Sequence, residues 1–198
     1  MKEILDDLGI DYKVGIDEAA FYGPKLDIQI KNVFGKEDTL ITIQIDMLLA
    51  KKFGMEYTDS NDQRVTPYII HRTSLGCYER TLALVLEKYA GALPLWMAPE
   101  QVRVLPIGVE HEDYAKAVRE RLESAGIRTE VDARNEKIGY KIRQAQLEKV
   151  PYMLVVGEKE AAEGKVAVRN RGGVDLGAVS VDEFMLKALE EIRTLKID

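Results

Sequence analysis

The helix predicted to begin near Gly76 carries the best candidate in this sequence for binding an anion. Arg80 lies in the first turn of that helix, and His71 and Arg72 end the strand predicted just before it. A guanidinium beside the free backbone N–H groups of a helix start can hold phosphate oxygens, because its planar fork matches their geometry. The spacing alone is weak evidence, since such an arginine is more often a surface charge or an ion-pair partner.

A second set of polar side chains follows one face of a predicted strand. Thr42, Gln44 and Asp46 alternate with isoleucines, so they point away from the apolar face. A tight turn upstream places the phenol of Tyr22 and the ammonium group of Lys25 beside them. The polar face of an antiparallel sheet is solvated by default, and a cleft lined by these groups is the functional alternative.

Antiparallel strands are predicted to position both sets. Alternation of apolar and polar residues predicts strands at 26–31 and 41–46, joined by a reversal at 34–38. A third strand is predicted at 66–71, with a proline near its start, where a missing N–H is tolerated. The helix after it is predicted to extend to about Tyr89.

The pattern changes once, in the proline-containing segment 90–99, which predicts a domain boundary at about residue 98. Strands and helices alternate after it. Strands are predicted at 102–107, 128–131, 152–156 and 165–170, and helices at 113–124, 137–149 and from Ser180 onward. Successive strand–helix units predict a parallel or mixed sheet covered by helices. The expected architecture is therefore an antiparallel domain over 1–98 and an α/β domain over 99–198.

Composition is that of a globular protein, with 46% hydrophobic and 31% charged residues in a chain of 198. The net charge of −6 argues against general nucleic-acid binding, and no DNA partner is expected. Residues 134–171 nevertheless hold nine Lys or Arg against five Glu, a local charge of +4 that leaves −10 for the rest. That stretch is either an ordinary solvated face or a surface for one chosen anionic ligand.

The sequence also bears on the compartment. Cys77 is the only cysteine, which excludes an internal disulfide framework. No apolar run approaches the roughly 18 residues of a membrane span, and no basic-then-apolar leader opens the chain. A cytoplasmic location without a membrane partner is the expectation.

In an ordered set of motifs the chain resembles threonyl-tRNA synthetases, which are class IIa aminoacyl-tRNA synthetases. The motifs of the first half are Phe21-Tyr22-Gly23-Pro24-Lys25, Thr42-Ile43-Gln44-Ile45-Asp46, Ile70-His71-Arg72 with Gly76 and Glu79-Arg80, and Pro94-Leu95-Trp96-Met97-Ala98-Pro99. Those of the second half are Arg134-Asn135-Glu136-Lys137-Ile138-Gly139-Tyr140-Lys141-Ile142-Arg143, Val150-Pro151-Tyr152-Met153-Leu154-Val155 and Gly164-Lys165-Val166-Ala167-Val168-Arg169. The resemblance covers nearly the whole chain and matches the C-terminal part of the family. It implies an incomplete class II antiparallel sheet with its motif 3 helix, then an α/β anticodon-binding domain with a mixed five-stranded sheet flanked by helices.

The resemblance also implies roles for residues of the first domain. Arg80 matches the motif 3 arginine that holds the γ-phosphate of ATP, which is bound with magnesium. His71 matches one of three ligands of a zinc ion that grips the amino and hydroxyl groups of threonine, which separates it from valine. Tyr22 and Gln44 match substrate-pocket residues, and Thr42 and Lys25 are assigned to the same pocket.

In the second domain the resemblance implies contact with the anticodon of tRNA(Thr). Polar residues at five positions match the family's anticodon-contacting residues, namely Asn135, Arg143, Lys149, Glu160 and Arg169. Amides, carboxylates and guanidiniums are the groups expected to bind unstacked loop bases. The implied partners of the full-length enzyme are tRNA(Thr), ATP, threonine and a second subunit, since full-length members are homodimers.

The match breaks in three places. The first two class II motifs and the other two zinc ligands are expected before Met1, so the zinc site is expected to be incomplete and no cofactor to bind this chain tightly. Thr39-Leu40-Ile41 stands where the family usually has Gln-Cys-Gly, which puts the adenine contact in doubt because isoleucine blocks a close backbone approach. Lys149 stands where arginine is common. Cys77 is expected to be a small buried thiol in preference to a zinc ligand.

The motifs and their departures leave three hypotheses. The leading one is a piece of a threonine–tRNA ligase, since a pure binding module gains nothing from Tyr22, Gln44, His71 and Arg80. The alternative is a non-catalytic, stand-alone tRNA-binding paralogue or split-gene product, which the altered segment 39–41 favours. A class IIa relative of the proline, glycine or histidine type is a third, against which the Tyr22-Gly23-Pro24 turn and His71-Arg72 argue.

We predict that this chain alone does not form threonyl-adenylate, because the missing motifs supply the α-phosphate arginine and the dimer contacts. An ATP–pyrophosphate exchange assay with threonine measures this directly. The expected rate equals that of a sample without protein, and a rate clearly above that background would refute the prediction.

Overall fold

The computed structural model describes residues 1–197, which divide into two compact units between Lys88 and Tyr89. The predicted boundary at about residue 98 lies further along the chain. Leu95 and Ala98 are buried, and Leu95 joins the main core of the second unit, so the proline-containing segment packs as part of that unit. The assignment of 1–98 and 99–198 as domains stays a prediction.

The first unit is built around β2, which pairs antiparallel with β1 on one side and with β5 on the other. Strands β3 and β4 form a separate antiparallel pair. The helices of this unit are α1 (Lys2–Asp7), α2 (Leu49–Lys52) and α3 (Tyr78–Tyr89). Its strands are β1 (Lys25–Lys31), β2 (Glu37–Asp46), β3 (Tyr57–Thr58), β4 (Arg64–Val65) and β5 (Ile69–Arg72).

The predicted hairpin and third strand are confirmed with two differences. Ile28 pairs with Ile41 and Gln29 with Thr39, so Leu40 is an extra residue that makes a β-bulge in β2. The third strand begins at Ile69 because its partner there, Asp46, is the last residue of β2. The unpredicted elements of this unit are two to six residues long, too short for a period to show.

The second unit is an α/β layer structure with a five-stranded sheet of order β10-β9-β8-β6-β7. Strands β7, β6 and β8 are parallel, and β9 and β10 continue the sheet antiparallel, as the predicted mixed sheet requires. The strands are β6 (Val102–Pro106), β7 (Thr129–Val131), β8 (Tyr152–Val156), β9 (Lys165–Asn170) and β10 (Asp175–Ser180). The helices are α4 (Glu112–Ser124), α5 (Ile138–Leu147), α6 (Glu158–Glu163) and α7 (Val181–Arg193), with a 3-10 turn at Val109–His111.

Hydrophobic cores cover both faces of this sheet. Val102 and Val104 of β6 pack with Leu122 of α4 and Phe184 of α7 on one face. On the other face Leu105 packs with β8 and α5. Parallel strands require such two-sided burial, and the βα pattern of the sequence predicted it.

The ends of two helices depend on local chemistry. Ser180 accepts a hydrogen bond from the Glu183 N–H, which confirms the predicted N-cap of α7. Helix α5 ends at Leu147, before the predicted 149, because Lys149 has a φ of 60° and cannot continue a right-handed helix. β10 was not predicted from periodicity, since most of its residues are exposed and a glycine at 177 interrupts it.

Within residues 1–197, no helix has both the length and the apolar character needed to cross a bilayer. The two units differ in their cores. Among those residues, the first unit buries two hydrophobic side chains and the second twenty. A buried Val, Leu or Phe side chain contributes roughly 1.5–3 kcal/mol, so the second unit holds most of the stabilising burial.

We predict that the first unit opens at a lower free energy than the second. Amide hydrogen exchange should show weaker protection of β2 than of β8, because β2 lies in a sheet with little buried apolar surface. As a control, Phe184→Ala should lower the opening free energy of β8 by about 3–5 kcal/mol and leave β2 unchanged. Equal protection of the two strands in the unmodified chain would contradict the prediction.

Candidate functional site

The polar face of the first sheet gathers five of the predicted site residues. Lys25 and His71 are the direct cross-strand partners of Gln44, so the three side chains form a row on one face. The Tyr22 hydroxyl donates to Gln44 Oε1 at 3.0 Å, and its ring centroid lies 6.2 Å from that of His71. Thr42 lies on the same face of β2. A phenol, an amide and an imidazole therefore converge on one spot.

The turn that carries Tyr22 is clipped to the end of β2. The Met47 N–H donates to the Tyr22 carbonyl, and the Ile45 N–H donates to the carbonyl of Pro24. Gly23 has a φ of 152°, and a Cβ there would lie 1.9 Å from the Ile45 oxygen, so only glycine fits. The FYGPK motif thus holds the phenol against the strand by backbone contact.

Two carboxylates, Asp27 and Asp46, organise this face. Asp27 accepts from the Lys25 ammonium group at 2.6 Å and from the Thr42 hydroxyl at 2.9 Å. Asp27 therefore links Lys25 and Thr42 to each other. It makes no such link to the other three of the five residues, which are Tyr22, Gln44 and His71. The predicted hairpin could have placed Asp27 opposite Thr42, since each is a polar residue in a strand of alternating polar and apolar residues.

The second carboxylate, Asp46, is fully buried. Burial opposes its ionisation, but hydrogen bonds from the Leu49 N–H, His71 and the Leu48 N–H outweigh that effect and hold the pKa of Asp46 below its ordinary value. His71 Nε2 lies 3.0 Å from Asp46 Oδ2. The pairing orients the imidazole and leaves Nδ1 for another partner, as in carboxylate–histidine pairs beside metals.

A metal at this place would need further ligands. Among residues 1–197, no three His, Cys, Asp or Glu side chains are grouped to hold an ion. One imidazole does not bind zinc, so the described residues fit a single contributed ligand and not a complete site. Cys77 adds nothing to it: the cysteine is exposed and its thiol contacts Glu79 at 3.1 Å, so the expectation of a buried thiol was wrong.

Arg80 lies apart from this row, toward the other end of β2. Its guanidinium donates to the Thr39 carbonyl at 2.9 Å. Thr39 precedes Gln44 by five residues, which corresponds to about 16 Å along an extended strand. The Leu40 carbonyl at the bulge also lies close to Gly76, two residues before α3, where a Cβ would lie 2.1 Å from the Leu40 oxygen. The segment 39–41, which departs from the family pattern, is therefore the part of β2 that contacts both Arg80 and Gly76.

In the second unit, Arg143 and Arg169 lie on the α5 side of the sheet. Val166 and Val168 of β9 point to the opposite core, so Arg169 points toward the α5 side, where it pairs with Asp175 at 2.7 Å. Arg143 is exposed on α5, one turn before Gln146, whose amide borders Gly173 at the β9–β10 turn. Asn135 is exposed in the loop between β7 and α5.

The other two predicted anticodon contacts already have partners within the unit. The Lys149 ammonium group donates to the carbonyl of Ala90. Glu160 accepts a hydrogen bond from the Gly157 N–H at 3.1 Å and so caps its own helix, α6. Asn135 and Glu160 follow the carboxyl ends of the parallel strands β7 and β8, whereas Lys149 precedes β8 and Arg169 pairs with Met153 near the start of β8, so the five residues do not form one cluster.

An ion pair between a buried carboxylate and an exposed arginine fixes the loop that holds Asn135. Asp132, at the end of β7, is 6% exposed and accepts two hydrogen bonds from the Arg134 guanidinium, at 2.8 and 2.6 Å. Arg134 in turn lies over the Tyr140 ring, 5.7 Å from its centroid. Lys141 is buried, and its ammonium group donates to the Pro106 carbonyl at 2.9 Å. Sequence reasoning missed these contacts, because an arginine two residues after an aspartate carries no specific signal.

We predict that Asp132 stabilises the second unit only above acidic pH. The Arg134 guanidinium, with Lys141 adding a weaker attraction, holds the pKa of Asp132 below its ordinary value against the effect of burial. A lowered carboxyl pKa gives stability that is present above about pH 4 and is lost as pH falls through the folded-state pKa. Asp132→Asn should therefore cost about 1–3 kcal/mol at neutral pH and progressively less below about pH 4.

Urea unfolding followed by Trp96, the only tryptophan, measures this in the second unit. Asp113→Asn is the matched control, because the Asp113 side chain is fully exposed, and it should change the free energy of unfolding little at either pH. A difference between wild type and Asp132→Asn that does not change with pH would contradict the prediction.

Two family models match the chain, in the order of the two units. Residues 1–89 match the tRNA synthetase class II core domain (G, H, P, S and T), and residues 101–191 match the anticodon binding domain. A solved structure titled as the RNA binding domain of threonyl-tRNA synthetase from Cryptosporidium parvum Iowa II is similar with a TM-score of 0.86 and 37% identity. It covers 96% of this chain, which spans 48% of that one.

Curated relatives are similar in sequence along the whole chain. The threonine–tRNA ligase of Clostridium botulinum (strain Eklund 17B / Type B) is 58% identical over 194 residues, and threonine–tRNA ligase 1 of Bacillus subtilis (strain 168) is 49% identical over 194 residues. In each case the match covers 98% of this chain and 30% of the relative, so the chain spans about a third of their length. Over nearly its whole length the chain is thus homologous to part of the threonine–tRNA ligases, and it matches a class II core domain followed by an anticodon binding domain.

Proposed function

We propose that the second unit binds the anticodon loop of tRNA(Thr) for a threonine–tRNA ligase. The observation that carries the proposal is the α5 side of this anticodon-binding unit, where Asn135 and Arg143 are exposed and Arg169 is held in place by Asp175. An amide and two guanidiniums spread along one surface suit a single strand whose bases are unstacked. Lys149 and Glu160 belong to the same proposal, and their present partners would have to be exchanged for RNA.

The first unit supports a role in handling the amino acid. Tyr22, Gln44 and His71 supply a hydroxyl, an amide and an imidazole at one spot, and groups of this kind can hold the polar groups of threonine. A site built to hydrogen-bond a hydroxyl rejects an isostere that lacks it, because its own polar groups are then left unpaired. Thr42 and Lys25 act there through Asp27, which fixes both.

The whole enzyme joins threonine to tRNA(Thr) at the expense of ATP, and the roles of this chain in that reaction are part of the proposal. Arg80 would bind the γ-phosphate of ATP complexed with magnesium, after release from the Thr39 carbonyl. His71 would contribute one zinc ligand, with Asp46 orienting its ring. A homodimer in the cytoplasm is the expected setting.

A stand-alone tRNA-binding role is the second candidate, and one observation favours it. Ile41, which comes directly after the bulge at Leu40, replaces the glycine of the family pattern. The nearby Thr39 carbonyl accepts a hydrogen bond from Arg80. A strand altered at this point is less suited to a close approach by adenine. An open reading frame upstream of codon 1 that encodes the two missing motifs would favour the enzyme, and a stop codon there would favour the binding module.

We predict that residues 1–198 prefer tRNA with a threonine anticodon over the same tRNA with a changed anticodon. Binding is measured at about 50 mM and about 200 mM salt, because phosphate attraction weakens steeply over that range while base contacts remain. A preference that survives the higher salt is the expected result. Binding that ignores the anticodon and collapses with salt would overturn the proposal.

Arg143→Ala tests the surface itself. Loss of a guanidinium that contacts a base should weaken binding by about tenfold and reduce the preference between anticodons. Arg119→Ala is the matched control, since it removes the same charge from α4, where Arg119 pairs with Glu123. Equal effects of the two substitutions would mean that Arg143 acts only through net charge.

A further inference from the structure

Tyr140 is a partly exposed aromatic residue in the first turn of α5, and none of the roles described so far uses it. Its side chain is not part of either core, and the residue is 45% exposed. One part of the ring is covered by the Arg134 guanidinium, at 5.7 Å from the ring centroid. An exposed tyrosine whose ring already stacks on a cation keeps apolar surface available for a second planar group.

Two buried side chains, Asp132 and Lys141, hold the Arg134–Tyr140 pair in place. Arg134 is fixed by two hydrogen bonds to Asp132, whose carboxylate is buried at the end of β7. The helix turn that carries Tyr140 is fixed by the buried Lys141, whose ammonium group binds the Pro106 carbonyl at the end of β6. The stack therefore rests on the ends of two adjacent strands, and its geometry is preorganised.

The surroundings of the pair are those of a ligand site. The carboxyl ends of parallel strands, with the loops after them, are where open α/β sheets bind ligands. Asn135 is the exposed neighbour of Arg134 in the loop. Arg143 lies three residues after Tyr140 in α5, so the two share one side of the helix, away from the sheet. Asn135 thus adjoins Arg134 in the chain, and Arg143 adjoins Tyr140 on the helix surface.

An exposed tyrosine ring beside polar groups is suited to bind a flat ring such as an unpaired base. Proteins recognise single-stranded RNA by splaying its bases out and stacking them on aromatic side chains or on arginine planes. Stacking on a tyrosine tolerates any base, because every base has a π face, while neighbouring amides and guanidiniums supply the selection. A base stacked on Tyr140 would lie within reach of both kinds of group.

We propose that Tyr140, backed by Arg134, is the platform on which an unpaired base of the tRNA anticodon loop stacks. The proposal rests on the anticodon-binding function proposed above and adds a residue to it. Arg134 is a positioning residue here, since Asp132 holds its guanidinium fork in place 5.7 Å from the centroid of the Tyr140 ring. The base contact itself is made by the ring of Tyr140.

The experiment uses the full chain and a short RNA hairpin that carries the threonine anticodon loop, with the fluorescent base 2-aminopurine at one loop position at a time. Stacking quenches this fluorophore, so the position that contacts Tyr140 is identified by its quenching on binding. Tyr140→Leu should weaken binding by about tenfold to a hundredfold and abolish the quenching at that position. Tyr140→Phe keeps the ring and should bind as wild type.

Two further variants separate stacking from general effects. Arg134→Lys keeps the charge but loses the planar fork, so it should reduce the quenching with a smaller loss of affinity. Tyr68→Leu removes an exposed tyrosine of the first unit, 71% exposed, and should change neither measurement. Trp96 fluorescence during urea unfolding confirms that the second unit is folded in each variant.

The outcomes distinguish this inference from the function on which it rests. If wild type binds the hairpin with anticodon preference and Tyr140→Leu binds and quenches equally well, the platform is overturned while anticodon binding stands. If wild type shows no preference for the threonine anticodon, the proposed function fails and the platform fails with it. Loss of quenching in Tyr140→Leu but not in Tyr140→Phe supports the platform.

Discussion

Burial of β6 on both faces is the constraint on which the second unit depends. Val102 and Val104 point into one core and Leu105 into the other, so helices must cover both sides of the sheet. Helices α4 and α7 pack on one face and α5 on the other. With both faces filled, polar chemistry is confined to the strand ends and to the outer surfaces of the helices, which is where Asn135 and Arg143 lie.

The first unit obeys a different rule. Its sheet keeps one polar face, on which Gln44 is flanked by Lys25 and His71 because antiparallel register sets their side chains opposite one another. Buried or half-buried carboxylates then organise the basic and hydroxyl groups: Asp27 fixes Lys25, and Asp46 fixes His71. The same device recurs in the second unit, where Asp132 fixes Arg134. In each case a carboxylate restrains a basic side chain.

This arrangement has an energetic consequence. A side chain held in place by a carboxylate loses less conformational freedom when it binds a ligand, which lowers the cost of binding. A side chain that must leave its partner incurs the opposite cost. Among the proposed ligand contacts, Arg80 at the Thr39 carbonyl and Lys149 at the Ala90 carbonyl would be of the second kind. The Tyr140 ring lies beside Arg134, which Asp132 holds in place, and would be of the first kind.

The sequence by itself determined the resemblance to threonyl-tRNA synthetases, the βα order of the second unit, the hairpin of the first and the residue types of both candidate sites. Those features depend on local periodicity and on the order of motifs, and both can be identified from residues that are close together in the chain. Tertiary structure alone decided which side chains meet. The bulge at Leu40, the pairing of Asp46 with His71 and the exposure of Cys77 depend on strand register and on packing between distant segments, and no short stretch of sequence encodes those distances. The separation of the five predicted anticodon-contacting residues was hidden for the same reason, since the order of strands in space is not their order in the chain.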